Sequence, residues 1–147
     1  ARFMFADEVF PVCSPDYLET HGPFDKAEDL LDSELLHLDE EHWQGLSWDA
    51  RDWPLLFASQ GHDTLAIQTG MRVNNYPLLT QMAVAGQGVA LGWRHLVADL
   101  MEQGALVKPI EASYISRRGY YLIESRKRPL RPEAEVFKDW LLQQYPD

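Results

Sequence analysis

Apolar residues along the chain form short continuous runs, and these alternate with stretches in which apolar positions recur every three or four residues. The runs at residues 9–13, 35–38, 71–73, 89–91, 106–107 and 120–123 predict strands. The stretches between them predict helices, since several open on a capping residue or an early proline, as Ser14 and Pro15 do. The predicted order, β-α-α-β-α-β-α-β-α-β-β-α, favours an α/β fold with a mixed, mostly parallel sheet flanked by helices.

Finer features follow from the same pattern. Asp25 and Ser47 are expected to cap the helices that follow them, because a short polar side chain stands just before each apolar stretch. Leu96, Val97, Leu100 and Met101 are expected on the inward face of their helix. In the final helix Phe137 and Trp140 share one face, which we expect to pack on a neighbouring lobe.

Composition and charge narrow the function classes. The chain has 147 residues, of which 46% are hydrophobic and 24% charged, as in an ordinary globular domain. Its net charge of −10 disfavours binding to nucleic acid or to an anionic membrane, and no binding to duplex DNA at moderate salt is expected. A single cysteine cannot form an internal disulfide, which favours a reducing, cytoplasmic location. No apolar stretch has the length of a membrane span.

Three patterns that would indicate catalysis, a cofactor or a metal are absent or stand in the wrong place or spacing. Residues 86–92 contain three glycines, but the predicted helix precedes the strand there, whereas a dinucleotide loop follows a strand and opens a helix. Gly86 is instead expected to end that helix in the left-handed conformation. Residues 37–42 hold two histidines and three acids without the spacing of a known metal motif, so a solvated acidic loop is favoured. No Gly-x-Ser-x-Gly motif is present. We therefore expect no catalytic centre, no metal and no cofactor.

Residues 74–77, Asn-Asn-Tyr-Pro, predict a helix start that has two interpretations. Unpaired N–H groups at a helix start attract carboxylates, and Asn74 and Asn75 add side-chain donors and acceptors. Plain capping needs only one asparagine, and the residues leave the two interpretations equal. Trp93 ends a predicted strand, where α/β sheets bind ligands, although a core tryptophan is the alternative. A less favoured alternative is a cage for a cationic ligand, formed by Trp93, Trp43, Trp48 and Trp53.

Several segments, in their order and spacing, resemble one known family. They are residues 9–18, 29–31 and 35–38, residues 74–92 with the pattern Ala-x-x-Gly-Gln-Gly-Val-Ala-Leu-Gly, and residues 96–100, 104–107 and 137–141. Together they resemble the effector-binding domain of LysR-type transcriptional regulators, in the branch that includes the glycine-cleavage activator. The resemblance extends from about residue 8 to residue 142.

This resemblance implies a lobe of the periplasmic-binding-protein type II kind, in a regulator that holds a small effector between two lobes. Residues 1–14 are expected to form a hinge strand and the end of the first lobe, residues 15–117 the second lobe, and residues 118–147 the return strand and C-terminal helix. Most of the first lobe and the DNA-binding domain are expected to lie outside this sequence. The implied effector-binding residues are Asn74, Asn75, Tyr76, Trp93, Cys13 and Ser14.

The same resemblance sets the expected partners. They are a small-molecule effector, with carboxylates as one candidate class, and DNA only through the separate N-terminal domain. Self-association or a frayed C-terminal helix is expected because the apolar face of the last helix would lack its usual lobe, and no membrane contact is expected. A lobe of a solute-binding transport protein of similar fold is the alternative function, and a small α/β enzyme is the third.

Overall fold

The computed structural model describes residues 1–39, 53–62, 67 and 70–145. Its strands are β1 (Arg2–Val12), β2 (His37–Leu38), β3 (Arg72–Val73), β4 (Ala90–Trp93) and β5 (Tyr114–Leu122). Its helices are α1 (Pro15–His21), α2 (Trp53–Ser59), α3 (Tyr76–Val84), α4 (Arg94–Glu102) and α5 (Pro132–Gln144), with a 3₁₀ helix at Ala27–Asp32. This alternation agrees with the predicted α/β class. The predicted strand at residues 106–107 is instead a single bridge between Val107 and Cys13.

The chain divides into two compact units. The larger unit is Glu8–Tyr114, and the smaller unit combines Ala1–Asp7 with Ile115–Asp147. The chain therefore passes from one unit to the other twice, once within β1 and once near the start of β5. None of the described helices is long and apolar enough to cross a bilayer.

The strand directions in the larger unit differ from the prediction, because the expectation of a mostly parallel sheet is wrong. β1 pairs with β4 in antiparallel register, with Val9 opposite Trp93 and Val12 opposite Ala90. β2 and β3 form a separate parallel pair. A strand buried on both faces has a continuous apolar run in either direction, so the run at residues 89–91 could not reveal which one β4 adopts.

Apolar side chains cover both faces of the β1–β4 pair. Val9 belongs to one buried cluster, and Phe10, the next residue of β1, belongs to another that includes residues of α3 and α4. This is the period of two that a strand imposes on its side chains. In α4 Val97 is fully buried, as predicted, and Leu100 and Met101 pack against the second cluster, whereas the expectation for Leu96 is wrong because its side chain is exposed.

Side-chain acceptors determine where the first helices begin. Ser14 caps α1, as predicted, by accepting a hydrogen bond at 3.0 Å from the N–H three residues later. Asp25 does not cap the 3₁₀ helix: Lys26 holds the cap position, and the Asp29 carboxylate accepts hydrogen bonds from the N–H groups of both. The acceptor therefore comes from inside the helix and not from the residue before it. The predicted cap Ser47 lies outside the described residues.

The smaller unit is built from the first part of β1, from β5 and from α5. The Phe5 ring stacks against Tyr120 and Tyr145, with ring centroids 4.6 and 4.8 Å apart. α5 begins at Pro132, as predicted, but Phe137 and Trp140 are 59% and 52% exposed. The face that these two side chains share is therefore exposed within the part of the chain that the structure describes.

Candidate functional site

The start of α3 carries three of the predicted effector-binding residues. Asn75 is the N-cap, and its side-chain oxygen accepts a hydrogen bond at 2.9 Å from the N–H of Leu78. Asn74 precedes it and is exposed. Tyr76 is the first helical residue. Since one asparagine is enough to cap the helix, Asn74 is free of the capping role and presents its amide to solvent.

Tyr76 brings the start of α3 to the start of α4. Its phenol oxygen accepts a hydrogen bond at 3.0 Å from the N–H of Trp93, the residue before α4, and its O–H points to the Leu91 carbonyl at 3.5 Å. The Tyr76 and Trp93 rings meet edge to face, with centroids 4.6 Å apart. Burial raises the pKa of the Tyr76 phenol to about 12, so it is protonated at neutral pH and can act as both donor and acceptor.

The start of α4 has an electropositive character. Within the described part of the chain, Trp93 provides no side-chain cap, and the first turn contains no acidic residue. Its first residue is instead Arg94, a cation at the end of the helix that already carries partial positive charge. Arg94 forms an ion pair with Glu8 of β1 and lies over the Phe10 ring at 5.4 Å from the centroid.

Cys13 and Ser14 lie in the fold as a buried thiol and a helix cap. Cys13 is completely buried, and this burial raises the pKa of its thiol to about 11. Ser14 caps α1 and lies beside the turn at Gly86, where a Cβ would stand 3.4 Å from the Ser14 Oγ. Gly86 has the positive φ of 76° that was expected for the residue ending α3. The described contacts thus join Ser14 to Gly86 and, separately, Tyr76 to Trp93.

One member of the tryptophan cage is part of the core. Trp53 is fully buried, and its indole N–H donates a hydrogen bond at 2.9 Å to the Leu36 carbonyl. It is a core residue, so the proposed four-tryptophan cage is wrong for Trp53, and the predicted members Trp43 and Trp48 lie outside the described residues. In the described ranges no three His, Cys, Asp or Glu side chains come together as metal ligands.

The ion pair between Glu8 and Arg94 is a feature of this region that the sequence analysis missed. The two residues are 86 positions apart along the chain. The hydrogen bond from Arg94 is the main reason why the pKa of Glu8 lies below its ordinary value, with Lys108 and Ser113 acting in the same direction against partial burial. No local pattern connects residues so far apart, and only the antiparallel pairing of β1 with β4 brings them together.

Comparison with known proteins identifies the family. The family model described as "LysR substrate binding domain" matches residues 1–146. The chain belongs to the LysR substrate-binding domain family. It is 28% identical over 139 residues to the glycine cleavage system transcriptional activator of Escherichia coli strain K12, covering 95% of this chain and 43% of that protein. It is also 28% identical over 145 residues to the HTH-type transcriptional regulator DsdC of the same strain, covering 97% of this chain and 45% of that protein.

Solved structures of this family have the same fold. The effector domain of the transcriptional regulator AmpR of Pseudomonas aeruginosa matches with a TM-score of 0.70 and 20% identity, over 96% of this chain and 62% of that chain. The regulatory domain of CrgA, a LysR-type transcriptional regulator from Neisseria meningitidis, matches with a TM-score of 0.62 and 19% identity, over 99% of this chain and 68% of that chain. The LysR domain therefore spans less than half of its curated relatives and about two thirds of these solved effector and regulatory domains.

Proposed function

We propose that this LysR domain is the effector-sensing part of a transcriptional regulator, and that it binds a small carboxylate where α3 and α4 begin. The observation that carries this proposal is the contact between Tyr76 and Trp93, which places two helix N-termini side by side. Each N-terminus contributes N–H donors and partial positive charge, and both effects favour a bound anion.

The side chains around the two helix starts favour a carboxylate over a cation. Asn74 is exposed, and Arg94, whose charge is offset by its ion pair with Glu8, adds a guanidinium at the first position of α4. A hydrogen bond to a charged group contributes about 1.5–3 kcal/mol, so loss of one weakens binding by roughly ten- to a hundredfold. Cys13 and Ser14 remain in our proposed binding set: Ser14 lies beside the turn at Gly86, and Cys13 forms a bridge with Val107.

The lobe arrangement is part of the same proposal. Residues 1–14 form a hinge strand with the end of the first lobe, residues 15–117 the second lobe, and residues 118–147 the return strand and C-terminal helix. The two passages between compact units, in β1 and at the start of β5, support hinges in these strands. Effector binding shifts the equilibrium between lobe arrangements, and in the whole regulator this acts on a separate DNA-binding domain in the cytoplasm.

Regulation is favoured over transport and over catalysis. The relatives and solved structures named above are transcriptional regulators, so a lobe of a transport protein is not favoured. The chemistry at the two helix starts consists of amide donors, a phenol and a guanidinium, which suits binding of an anion. No role as an enzyme is proposed.

A thermal-shift comparison of carboxylates with their own amides tests the proposed site. Acetate, lactate and succinate are measured beside acetamide, lactamide and succinamide, because each pair differs mainly in charge. We expect at least one carboxylate to raise the melting temperature and its amide to have no effect, since a ligand of the folded state stabilises it. Asn74→Ala should weaken that shift without lowering stability. Asn75→Ala is the matched control and should lower stability by about 1 kcal/mol through loss of the cap.

Two results would contradict this site. One is an equal shift from a carboxylate and its amide, which would show that charge is not recognised. The other is an Asn74→Ala protein that is less stable yet binds the carboxylate with unchanged affinity, which would make Asn74 a structural residue only.

We also propose that the LysR domain self-associates through α5. Phe137 and Trp140 stack on each other and are both more than half exposed, which is unusual for large apolar side chains in one patch. Sedimentation velocity over a concentration series should show association, and replacing both residues with serine should abolish it. A monomer at every concentration would contradict this proposal.

A further inference from the structure

A small charged cluster surrounds Phe10 where β1 enters the larger unit. Glu8 forms an ion pair with Arg94 and is further stabilised by Lys108 and by a hydrogen bond from Ser113. The Lys108 ammonium lies 4.4 Å from the centroid of the Phe10 ring, and the Arg94 guanidinium lies 5.4 Å from it. The Glu8 carboxylate and the Phe10 ring therefore each interact with the same two cations, Arg94 and Lys108.

The two cations differ in their exposure. The side chain of Arg94 is 60% exposed, whereas those of Lys108 and Glu8 are 22% and 17% exposed. Lys108 also lies 3.9 Å from the exposed carboxylate of Glu111. If Arg94 moves away, Lys108 and Ser113 still stabilise Glu8, and Lys108 still lies over the Phe10 ring. The Glu8 carboxylate therefore keeps partners after Arg94 leaves. For this reason the free-energy cost of breaking the Glu8–Arg94 pair is low.

Arg94 is also part of the proposed site, since it follows Trp93 directly and opens α4. Its positive charge at a helix N-terminus is unfavourable, and the carboxylate of Glu8 offsets it. A carboxylate bound where α3 and α4 begin would offer Arg94 the same chemistry as Glu8 does. The two carboxylates are then alternatives for one guanidinium.

We propose that Glu8 is an internal competitor for Arg94: an anionic effector takes Arg94 from Glu8, and Lys108 and Ser113 retain Glu8. This proposal rests on the proposed function, because it concerns the control of that same site. Glu8 is the first residue of the larger unit after the chain passes into it along β1. When Arg94 leaves Glu8 for the effector, β1 loses its ion pair with α4 at that point. The strength of the Glu8–Arg94 pair sets the effector concentration at which this happens.

Isothermal titration of the 147-residue chain with acetate and succinate, and with their amides as controls, tests this competition. Glu8→Gln removes the competing charge, so we expect carboxylate affinity to rise about tenfold. Arg94→Gln should lower it by a similar factor. Lys108→Gln should lower it about threefold, because Glu8 then holds Arg94 more strongly. In the double variant with Glu8→Gln, the effect of Lys108→Gln should disappear, and this loss of effect identifies competition.

The outcomes separate the two proposals. Carboxylate binding that is unchanged or weaker in Glu8→Gln would overturn the competition and leave the site intact. Absence of carboxylate binding in both the native chain and Glu8→Gln would overturn both. Should Glu8→Gln fail to fold, nitrogen NMR of the native Arg94 guanidinium decides, because saturating acetate or succinate should change its Nε signal. A hydrogen bond to Glu8 that persists at saturation would overturn the competition.

Discussion

Removal of one hydroxyl, in Tyr76→Phe, tests the junction between the starts of α3 and α4. The phenol oxygen accepts the Trp93 N–H at 3.0 Å, and its longer contact to the Leu91 carbonyl is 3.5 Å. The variant retains the edge-to-face ring contact but leaves the Trp93 N–H without its acceptor. An unpaired buried donor costs about 1–3 kcal/mol, so at neutral pH we expect the free energy of unfolding to fall by about 1–2 kcal/mol.

The pH dependence provides a second signature of the same hydroxyl. Burial raises the pKa of Tyr76 from 10.0 to about 12. Below pH 10 the phenol is protonated in both states, and its contribution to stability is fully present. Between pH 10 and about 12 only the unfolded chain loses this proton, so the free energy of unfolding falls with rising pH. The fall is about 1.4 kcal/mol for each pH unit in that window, and Tyr76→Phe lacks it.

Urea unfolding followed by circular dichroism measures both effects. The stability advantage of the native chain over Tyr76→Phe should be largest near neutral pH, should shrink above pH 10, and should vanish or reverse before about pH 12. Tyr121→Phe is the control at neutral pH, because Tyr121 is more than half exposed and its hydroxyl should add little to stability. A difference below about 0.3 kcal/mol at neutral pH, or one that stays constant as the pH rises, would refute the proposed role of this hydroxyl.

Three further predictions concern the core and the cap of the larger unit. Ser14→Ala should lower the free energy of unfolding by about 1 kcal/mol through loss of the α1 cap, whereas Glu19→Ala on the exposed side of the same helix should be nearly neutral in urea unfolding. Trp53→Phe should cost about 2–4 kcal/mol, since it leaves a cavity and removes the donor to the Leu36 carbonyl, and a calorimetric melting temperature equal to that of the native chain would contradict this. The Cys13 thiol is buried and its pKa is raised to about 11, so it should react with iodoacetamide at least about tenfold more slowly in the folded chain than in urea. Equal rates would show that the thiol is accessible to solvent in the folded chain.

Local sequence signals predicted much of the secondary structure because caps and turns depend on neighbouring residues. Ser14, Asn75 and Gly86 act where the sequence placed them, since a cap or a left-handed turn needs only a few adjacent positions. The exception at Asp25 has the same local origin, because Asp29 is a better-placed acceptor for the same two N–H groups. The resemblance to LysR regulators also came from the sequence, and the match to the family over residues 1–146 confirms it.

The sequence predicted the residues of the candidate site but not their contact. Asn74, Asn75 and Tyr76 are adjacent and mark a helix start, and Trp93 marks the end of a strand. Their side-by-side position depends on the Tyr76 hydroxyl reaching the Trp93 N–H, which is a contact between residues 17 positions apart. The asparagines could be interpreted as a cap or as an anion site until Asn75 was found to act as the cap, which leaves Asn74 available.

The sequence by itself determined the α/β class, most of the helix starts and the family of this LysR domain, because these depend on residue type, period and local order. Tertiary structure decided the direction of β4, the burial of Trp53 and the pairing of Glu8 with Arg94. Each of these depends on long-range contacts, and an apolar strand buried on both faces has the same residue pattern in either direction. The charge of Arg94 is evident in the sequence, but its counter-ion comes from a strand 86 positions away that only the folded chain places beside it.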